Sequence, residues 1–372
     1  MTTTVVLGTG IVGEAAIWDL VRRGHDVRIA DLDPDTVDRV SERYAVEGDT
    51  VDVSDGASVR HLLDGADVVV SAVPYRFGQA VAEAAVATRT HYCDFGGNPS
   101  VVATQLRLGA AARDAEIAVV PDCGLAPGLA NVLARADVGA LGDGTVDRVT
   151  LRVGALPAEP VGALGYQLAF NPVGLINEYA EPCEILSGGH HTEVEPLTGI
   201  ESISVPGIGE LEAFHTAGGS SSLPRLLAGR VLDLDYKTLR YPGHGRIFAA
   251  MRELGLFDET PDPVTGITPR DVLVNALARN LPSGGPDVVI VVTEAVARDR
   301  RSGHLLIDRH DGRFSALART TAFPATALAD VMGGGGIEPG ARTMDDAIDA
   351  ATLMPLLADV GIAAEATGAE RP

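Results

Sequence analysis

Over its first third the chain alternates short apolar runs with longer amphipathic stretches, and glycine, proline or aspartate stands at most of the changes. The apolar runs predict strands at residues 3–8, 27–31, 50–53, 67–73, 91–95 and 117–121. Helical periodicity predicts helices over 11–23, 34–44, 56–63, 78–88, 99–112 and 128–138. Several begin with a cap: Asp33 before Pro34, Ser54 or Asp55 before Gly56, and Asn98 before Pro99. Strand and helix in alternation with short connections predict a parallel sheet covered on both faces, with right-handed crossovers.

A polar, glycine-containing break at 142–145 introduces a β-rich, less regular texture. Strands are expected at 146–153, 209–215 and 236–239, and a hairpin from 287–297 and 303–309 around a charged turn. Helices are expected at 172–179, 246–254 and 269–278. An alanine-rich helix at 325–332 leads through a four-glycine run into a second helical piece ending near 360, and 363–372 reads as a frayed tail. At 372 residues the chain exceeds one ordinary core. The fold class expected is α/β: a Rossmann doubly wound parallel sheet with a second α+β domain. Residues 1–141 are expected to form the Rossmann domain, 142–319 the α+β domain, and 320–372 a helical segment returning to the first.

Composition narrows the function classes. The formal charge of −22 repels nucleic acid and anionic lipid, so neither is an expected partner. No apolar run has the ~18 residues of a membrane span, and the opening segment lacks a basic flank and runs into a glycine turn, so it reads as a strand and the protein as cytoplasmic. Cys93, Cys123 and Cys183 have no metal-type spacing and suggest a reduced compartment. Lys237 is the only lysine; a GC-rich genome explains that arginine bias, and a high-salt cytoplasm would explain the acidic excess too. A homodimer is the generic expectation for such an enzyme.

The first chemistry appears at Gly8-Thr9-Gly10-Ile11-Val12-Gly13, between the first strand and first helix. Gly8 makes the tight turn, Gly10 lets backbone approach a pyrophosphate, and Gly13 lets helix and strand pack closely. The helix start, with Ile11 and Val12, offers free N–H groups and a partial positive charge. Asp31, at the end of the second strand, can accept hydrogen bonds from ribose hydroxyls and would repel a 2′-phosphate, so NAD is expected over NADP. Asp52 and Val53 can flank the adenine, and Ala72-Val73-Pro74, after Ser71, lies where the nicotinamide half would pass.

Two further strand ends carry polar groups, in His91-Tyr92-Cys93-Asp94-Phe95-Gly96-Gly97 and Pro121-Asp122-Cys123-Gly124-Leu125-Ala126-Pro127-Gly128. Asp94 and Asp122 are candidate acid–base groups; alternatively each caps the next helix. Cys123 has no evident base beside it, which argues against a nucleophile.

The loop from Asp122 to Gly128 resembles that of the saccharopine dehydrogenase family, and within it most the lysine 6-dehydrogenases. Gly154-Ala155-Leu156-Pro157 and the stretch from Leu164 to Tyr179 are similar to the family's entry into its substrate domain. Leu211-Glu212-Ala213-Phe214-His215-Thr216-Ala217-Gly218-Gly219 looks like the lysine 6-dehydrogenase version of the next motif. It lacks the arginine that the saccharopine-forming branch tends to carry there. The segments Thr238–His244 and Arg319–Pro324 continue the match in the family's order.

This resemblance implies oxidative deamination of an amino acid, most similar to removal of the terminal amine of L-lysine to give 2-aminoadipate 6-semialdehyde and ammonia. The substrate carboxylate then needs a cation, for which Arg240 is the candidate, unless it is simply solvated. His215 and His244 are candidates for the base or a proton relay. Tyr75 can cover the nicotinamide or touch substrate, the Cys123-Gly124-Leu125 backbone can approach it, and Tyr166 and Phe170 line the pocket or pack the core. His190-His191 lack the further ligands a metal needs, so no metal is expected. The returning C-terminal segment would put the active site in an interdomain cleft. A saccharopine-type enzyme acting on a secondary amine, and an NAD-binding regulatory protein without turnover, are the alternatives.

Overall fold

The computed structural model describes residues 1–368. These fall into two compact units, residues 1–136 with 318–363 and residues 137–317 with the segment from 364 onward.

The first unit alternates as its sequence pattern does. Its elements are β1 (Thr3–Leu7), α1 (Ile11–Arg22), β2 (Asp26–Asp31), α2 (Pro34–Tyr44), β3 (Glu47–Thr50), α3 (Gly56–Leu63), β4 (Val68–Ser71), α4 (Gly78–Thr88), β5 (His91–Asp94), α5 (Pro99–Leu106), α6 (Gly109–Asp114), β6 (Ala118–Val120) and α7 (Leu129–Ala140). The caps act as their residue types require: Asp33 accepts from Asp35 N–H, Asp55 from Ala57 N–H, and Asn98 from Ser100 and Val101 N–H. All strands are parallel in the order β3-β2-β1-β4-β5-β6, so the order reverses beside β1, between β1 and β4. That switch point is where a doubly wound sheet opens a crevice. β3 lies three residues before the expected 50–53; an exposed edge strand of sequence Glu-Gly-Asp-Thr carries no apolar signature.

The second unit is a mixed sheet. Its elements are β7 (Val146–Pro157), α8 (Pro172–Ala180), β8 (Cys183–Ser187), β9 (His190–Val194), β10 (Glu201–Val205), β11 (Gly209–His215), α9 (Leu223–Leu227), β12 (Val231–Arg240), α10 (His244–Glu253), α11 (Pro269–Asn280), β13 (Asp287–Ala297) and β14 (Arg300–Arg309). β7 is central, parallel to β12 and antiparallel to β13. The hairpins of β8 to β11 escaped the sequence pattern in part because β9 and β10 are mostly exposed. β11 and β12 pair Glu212 with Arg240 and Phe214 with Thr238, which puts Glu212, Phe214, Tyr236, Thr238 and Arg240 on one face. His215 pairs with Lys237 and lies on the other face.

After β14 come α12 (Ala316–Gly333), β15 (Gly340–Ala341), α13 (Met344–Ala347), α14 (Ala350–Ala358) and β16 (Ala364–Thr367). β15 extends the first sheet beside β6. The expected frayed tail is corrected over 364–367, where β16 adds an antiparallel edge strand to β14; residues 369–372 of that tail lie outside the described residues.

Asp19 of α1 anchors the C-terminal segment within the first unit. Its fully buried carboxylate accepts from Arg22 Nη2 (2.7 Å), Arg23 Nε (2.7 Å) and Thr326 Oγ1, while Arg23 Nη2 donates to Leu356 O (3.0 Å). Asp19→Ala removes the buried carboxylate on which Arg22, Arg23 and Thr326 converge, leaving Arg23 the longer contact to Asp330 (3.5 Å), and is expected to lower stability by about 3 kcal/mol in chemical denaturation. Arg22→Ala, which removes a part-exposed partner, should cost under about 1 kcal/mol.

Candidate functional site

In the first unit the sequence-predicted cofactor residues gather at the carboxyl ends of β1, β2 and β4. A Cβ on Gly13 would lie 2.0 Å from Gly8 O, and one on Gly8 2.8 Å from Ala72 O, whereas one on Gly10 meets nothing within 4 Å. Gly8 and Gly13 are therefore packing glycines, and Gly10 faces open space. α1 begins at Ile11 with no side-chain cap on its first N–H groups, the arrangement that binds a diphosphate. Ala72 backs Gly8, and Val73 and Pro74 continue from it along β4's end. Ile11 is exposed and Val12 half-buried at the same helix start.

Asp31 is fixed beside this loop. Its Oδ2 accepts from Thr9 N–H (2.7 Å) and Oγ1 (2.9 Å), and its Oδ1 from Asp33 N–H (3.2 Å). Partial burial raises its pKa, but these hydrogen bonds outweigh that and leave it below the ordinary carboxylate value. Asp52 faces solvent and accepts from Ser54 N–H (2.9 Å), while Val53 packs against the first core.

At β5 the structure corrects one expectation. Asp94 is not an available acid–base group: Oδ2 accepts from Tyr92 OH (2.7 Å) and Gln105 Nε2 (2.7 Å), and Oδ1 from Gly96 N–H (2.9 Å) and Asp122 N–H (3.0 Å). It clasps the two strand ends together. Cys123 is fully buried, its thiol directed to Val120 O (3.1 Å), and burial raises its pKa well above normal, so its side chain presents nothing to a substrate. Gly124 and Leu125 are buried beside it. Asp122 occupies a left-handed backbone conformation (φ 64°) with its carboxylate against Gly96. Tyr75 is 40% exposed, its ring against Gly97.

In the second unit Arg240 ends β12 inside an aromatic shell, only 3% exposed. Its Nε donates to Tyr179 OH (3.0 Å), its Nη1 to Leu239 O (2.9 Å), and its guanidinium lies 5.1 Å from the centre of the Tyr166 ring. Burial opposes its charge, but Tyr179, Tyr166 and Glu178 offset that and keep it protonated. No ion pair to Arg240 exists among the described residues. Arg240 is therefore a buried cation without a bonded anion, not a solvated one. Phe170 packs on Gly174 at the edge of the same core.

The histidine expectations fail for two physical reasons. His244 lies between Leu164 O on Nδ1 (3.0 Å) and Tyr179 OH on Nε2 (3.0 Å). The carbonyl can only accept, so Nδ1 carries the proton and Tyr179 donates to Nε2. Burial, with Arg240 nearby, lowers its pKa to about 3, so it is a neutral link with both nitrogens used. His215 lies on the opposite sheet face with Lys237 and Asp235, where it cannot share a site with Arg240. Sequence reasoning missed Glu178 and Tyr179 as site residues; their signal was a tyrosine on the inward stripe of α8 with an acid at the rim of that stripe.

Two outcomes follow. Gly10→Ala should leave melting temperature unchanged and weaken dinucleotide binding at least about tenfold, whereas Gly13→Ala should cost about 1–3 kcal/mol of stability. Histidine NMR should show His244 neutral and Nδ1-protonated from pH 5 to 8; a titration near 6.5 would contradict the assignment.

Comparison with known proteins agrees with both units. Residues 4–120 match the family model for the saccharopine dehydrogenase NADP binding domain, and residues 124–362 that for the saccharopine dehydrogenase C-terminal domain. The chain is 25% identical over 281 residues to mitochondrial alpha-aminoadipic semialdehyde synthase of Rattus norvegicus, covering 70% of this chain and 29% of that one. It is 24% identical over 276 residues to saccharopine dehydrogenase [NADP(+), L-glutamate-forming] of Pyricularia oryzae, covering 70% of this chain and 59% of that one. The chain thus spans less than a third of the rat relative's length. Apo saccharopine dehydrogenase (L-Glu forming) from Saccharomyces cerevisiae has the same fold, with TM-score 0.80 at 16% identity over 99% of each chain. The chain belongs to the saccharopine dehydrogenase family.

Proposed function

We propose that this protein is an NAD-dependent oxidoreductase that acts on a C–N bond of a free amino acid, with the terminal amine of L-lysine as its first substrate. The observation that carries the proposal is Arg240, whose buried charge is held by neutral groups and awaits an anion. A substrate carboxylate supplies one, and a guanidinium is suited to bind it bidentately.

The nucleotide site fits its coenzyme on this chain's own geometry. The uncapped start of α1 and the open approach at Gly10 suit a diphosphate, and anionic Asp31 suits free ribose hydroxyls. Arg39 and Arg43 of α2 are paired with Glu14. The description of the matching family model as NADP-binding points the other way, and the choice of NAD rests on Asp31.

When bound, the coenzyme accepts a hydride from the substrate carbon. The chain's residues must hold the carboxylate, exclude water and receive the proton the amine sheds. Loss of hydride and proton gives a C=N bond, and water then releases the semialdehyde and ammonia.

A saccharopine-type reaction is the second reading, favoured by similarity to the Pyricularia protein. It is the same hydride step on a secondary amine, with glutamate released in place of ammonia. Saccharopine brings further carboxylates and needs further cations. On the face that β11 and β12 share with Arg240, the other residues are acidic, apolar or neutral.

A panel of L-lysine, saccharopine and other amines with NAD and NADP, read by absorbance of the reduced coenzyme, tests the proposal. Turnover is expected with L-lysine and NAD, and Arg240→Met should lower kcat/KM about a hundredfold or more without changing NAD affinity. Turnover of saccharopine alone would replace the first reading by the second. A strong NADP preference would overturn the role given to Asp31.

A further inference from the structure

Glu178 is the one charged neighbour of Arg240 that the reading above leaves without a task. It sits in the last turn of α8, three residues after buried Leu175 and one before Tyr179, at the rim of the inward stripe. Its own carbonyl accepts from Ala217 N–H (2.9 Å), which ties this turn to the loop after β11. Its carboxylate makes no hydrogen bond or ion pair among the described residues, although the side chain is only part-exposed.

Arg240 and Glu178 each feel the other's charge, yet no contact within 4.0 Å joins them. Arg240 is bonded to Tyr179 OH, and Glu178 precedes Tyr179 in the same turn of α8, so a buried cation and a carboxylate that it does not touch belong to one neighbourhood; a group that carries both charges in reverse would answer them. The α-carbon of a free amino acid carries that pair, a carboxylate and an ammonium on one atom.

We propose that Glu178 and Arg240 together bind the zwitterionic head of the substrate, Glu178 taking the α-ammonium and Arg240 the α-carboxylate. The inference rests on the reading of Arg240 as the carboxylate site, and it holds for lysine and saccharopine alike. It makes a free α-amine a requirement: a des-amino or N-acylated analogue leaves Glu178 unpaired in a desolvated place.

Glu178 also sets the pH range of this selectivity. Burial pushes its pKa up to about 7 against the opposing pull of Arg240. The other ionisable groups around it are Tyr166, Tyr179 of α8 and Tyr236 of β12, all raised by burial and neutral in this range. Arg240 stays charged throughout. Glu178 is therefore the group here that changes charge near neutrality. Recognition of the ammonium strengthens as pH rises through about 7 and fades below it.

The test is calorimetric titration of the full chain, with saturating NAD, using L-norleucine and hexanoate. The two probes share chain length and carboxylate and differ in the α-ammonium. At pH 8 the wild type should favour L-norleucine roughly ten- to a hundredfold, the worth of a charge-assisted hydrogen bond, and the preference should shrink at pH 5.5. Glu178→Gln should abolish the preference while leaving hexanoate affinity within about threefold and melting temperature unchanged. Glu178→Asp should restore part of it. A preference that survives in a folded Glu178→Gln protein overturns the inference. So does a preserved preference accompanied by a large loss of kcat, which would place Glu178 at the reacting amine. If neither probe binds the wild type, the carboxylate reading of Arg240 has failed, a result distinct from equal binding of both.

Discussion

A guanidinium withdrawn from water is costly unless its hydrogen-bond donors and its charge are both answered, and the second unit is organised around doing so for Arg240. The donors are met by neutral groups, the Tyr179 hydroxyl and the Leu239 carbonyl, while the Tyr166 ring faces the cation. This arrangement fixes its neighbours. Tyr179 accepts from Arg240 and so gives its own proton to His244, which passes the chain of hydrogen bonds on to Leu164 O. Glu212, on the same sheet face, receives Gly243 and Gly245 N–H at the start of α10 and so serves that helix instead of the guanidinium. The charge itself has no bonded anion among the described residues.

The first unit solves a different problem, that of holding strand ends in register around a crevice. Asp94 receives four hydrogen bonds and binds the end of β5 to the turn after β6, with Asp122 held by its own N–H. Thr9 and Asp31 do the same between β1 and β2. Asp94 looks like a catalytic group in a sequence because it is a polar residue at a strand end. Its four hydrogen bonds show that it shapes the strand ends instead.

How much of this was legible beforehand follows from what kind of signal each feature leaves. The parallel sheet was legible because each strand is an apolar run and each helix start carries a cap, as at Asp33, Asp55 and Asn98. The glycine turn and Asp31 were legible because their spacing is set by backbone geometry. The shifted β3, the hairpin from β8 to β9 and the edge strand β16 were not, because exposed strands bury too little to show a period-two pattern. Arg240 was found in the sequence as a candidate cation, but its burial was not. His215 and His244 look equivalent in sequence, and only the register of β11 against β12 and the packing around α10 separate them. Glu178 left the weakest trace. A carboxylate's proton affinity depends on burial and on neighbours distant in the chain, here burial that raises it and Arg240 that lowers it, and no local pattern reports either.

The central claim is that the charge buried at the end of β12 is completed by the substrate's carboxylate. A crystal structure of the protein with pyridine nucleotide and an amino-acid ligand bound tests it most directly. The account predicts two carboxylate oxygens within about 3 Å of the Arg240 guanidinium nitrogens, with the Tyr179 and Leu239 contacts kept. A substrate carboxylate held by other groups, with Arg240 unchanged and still without an anion, would contradict it.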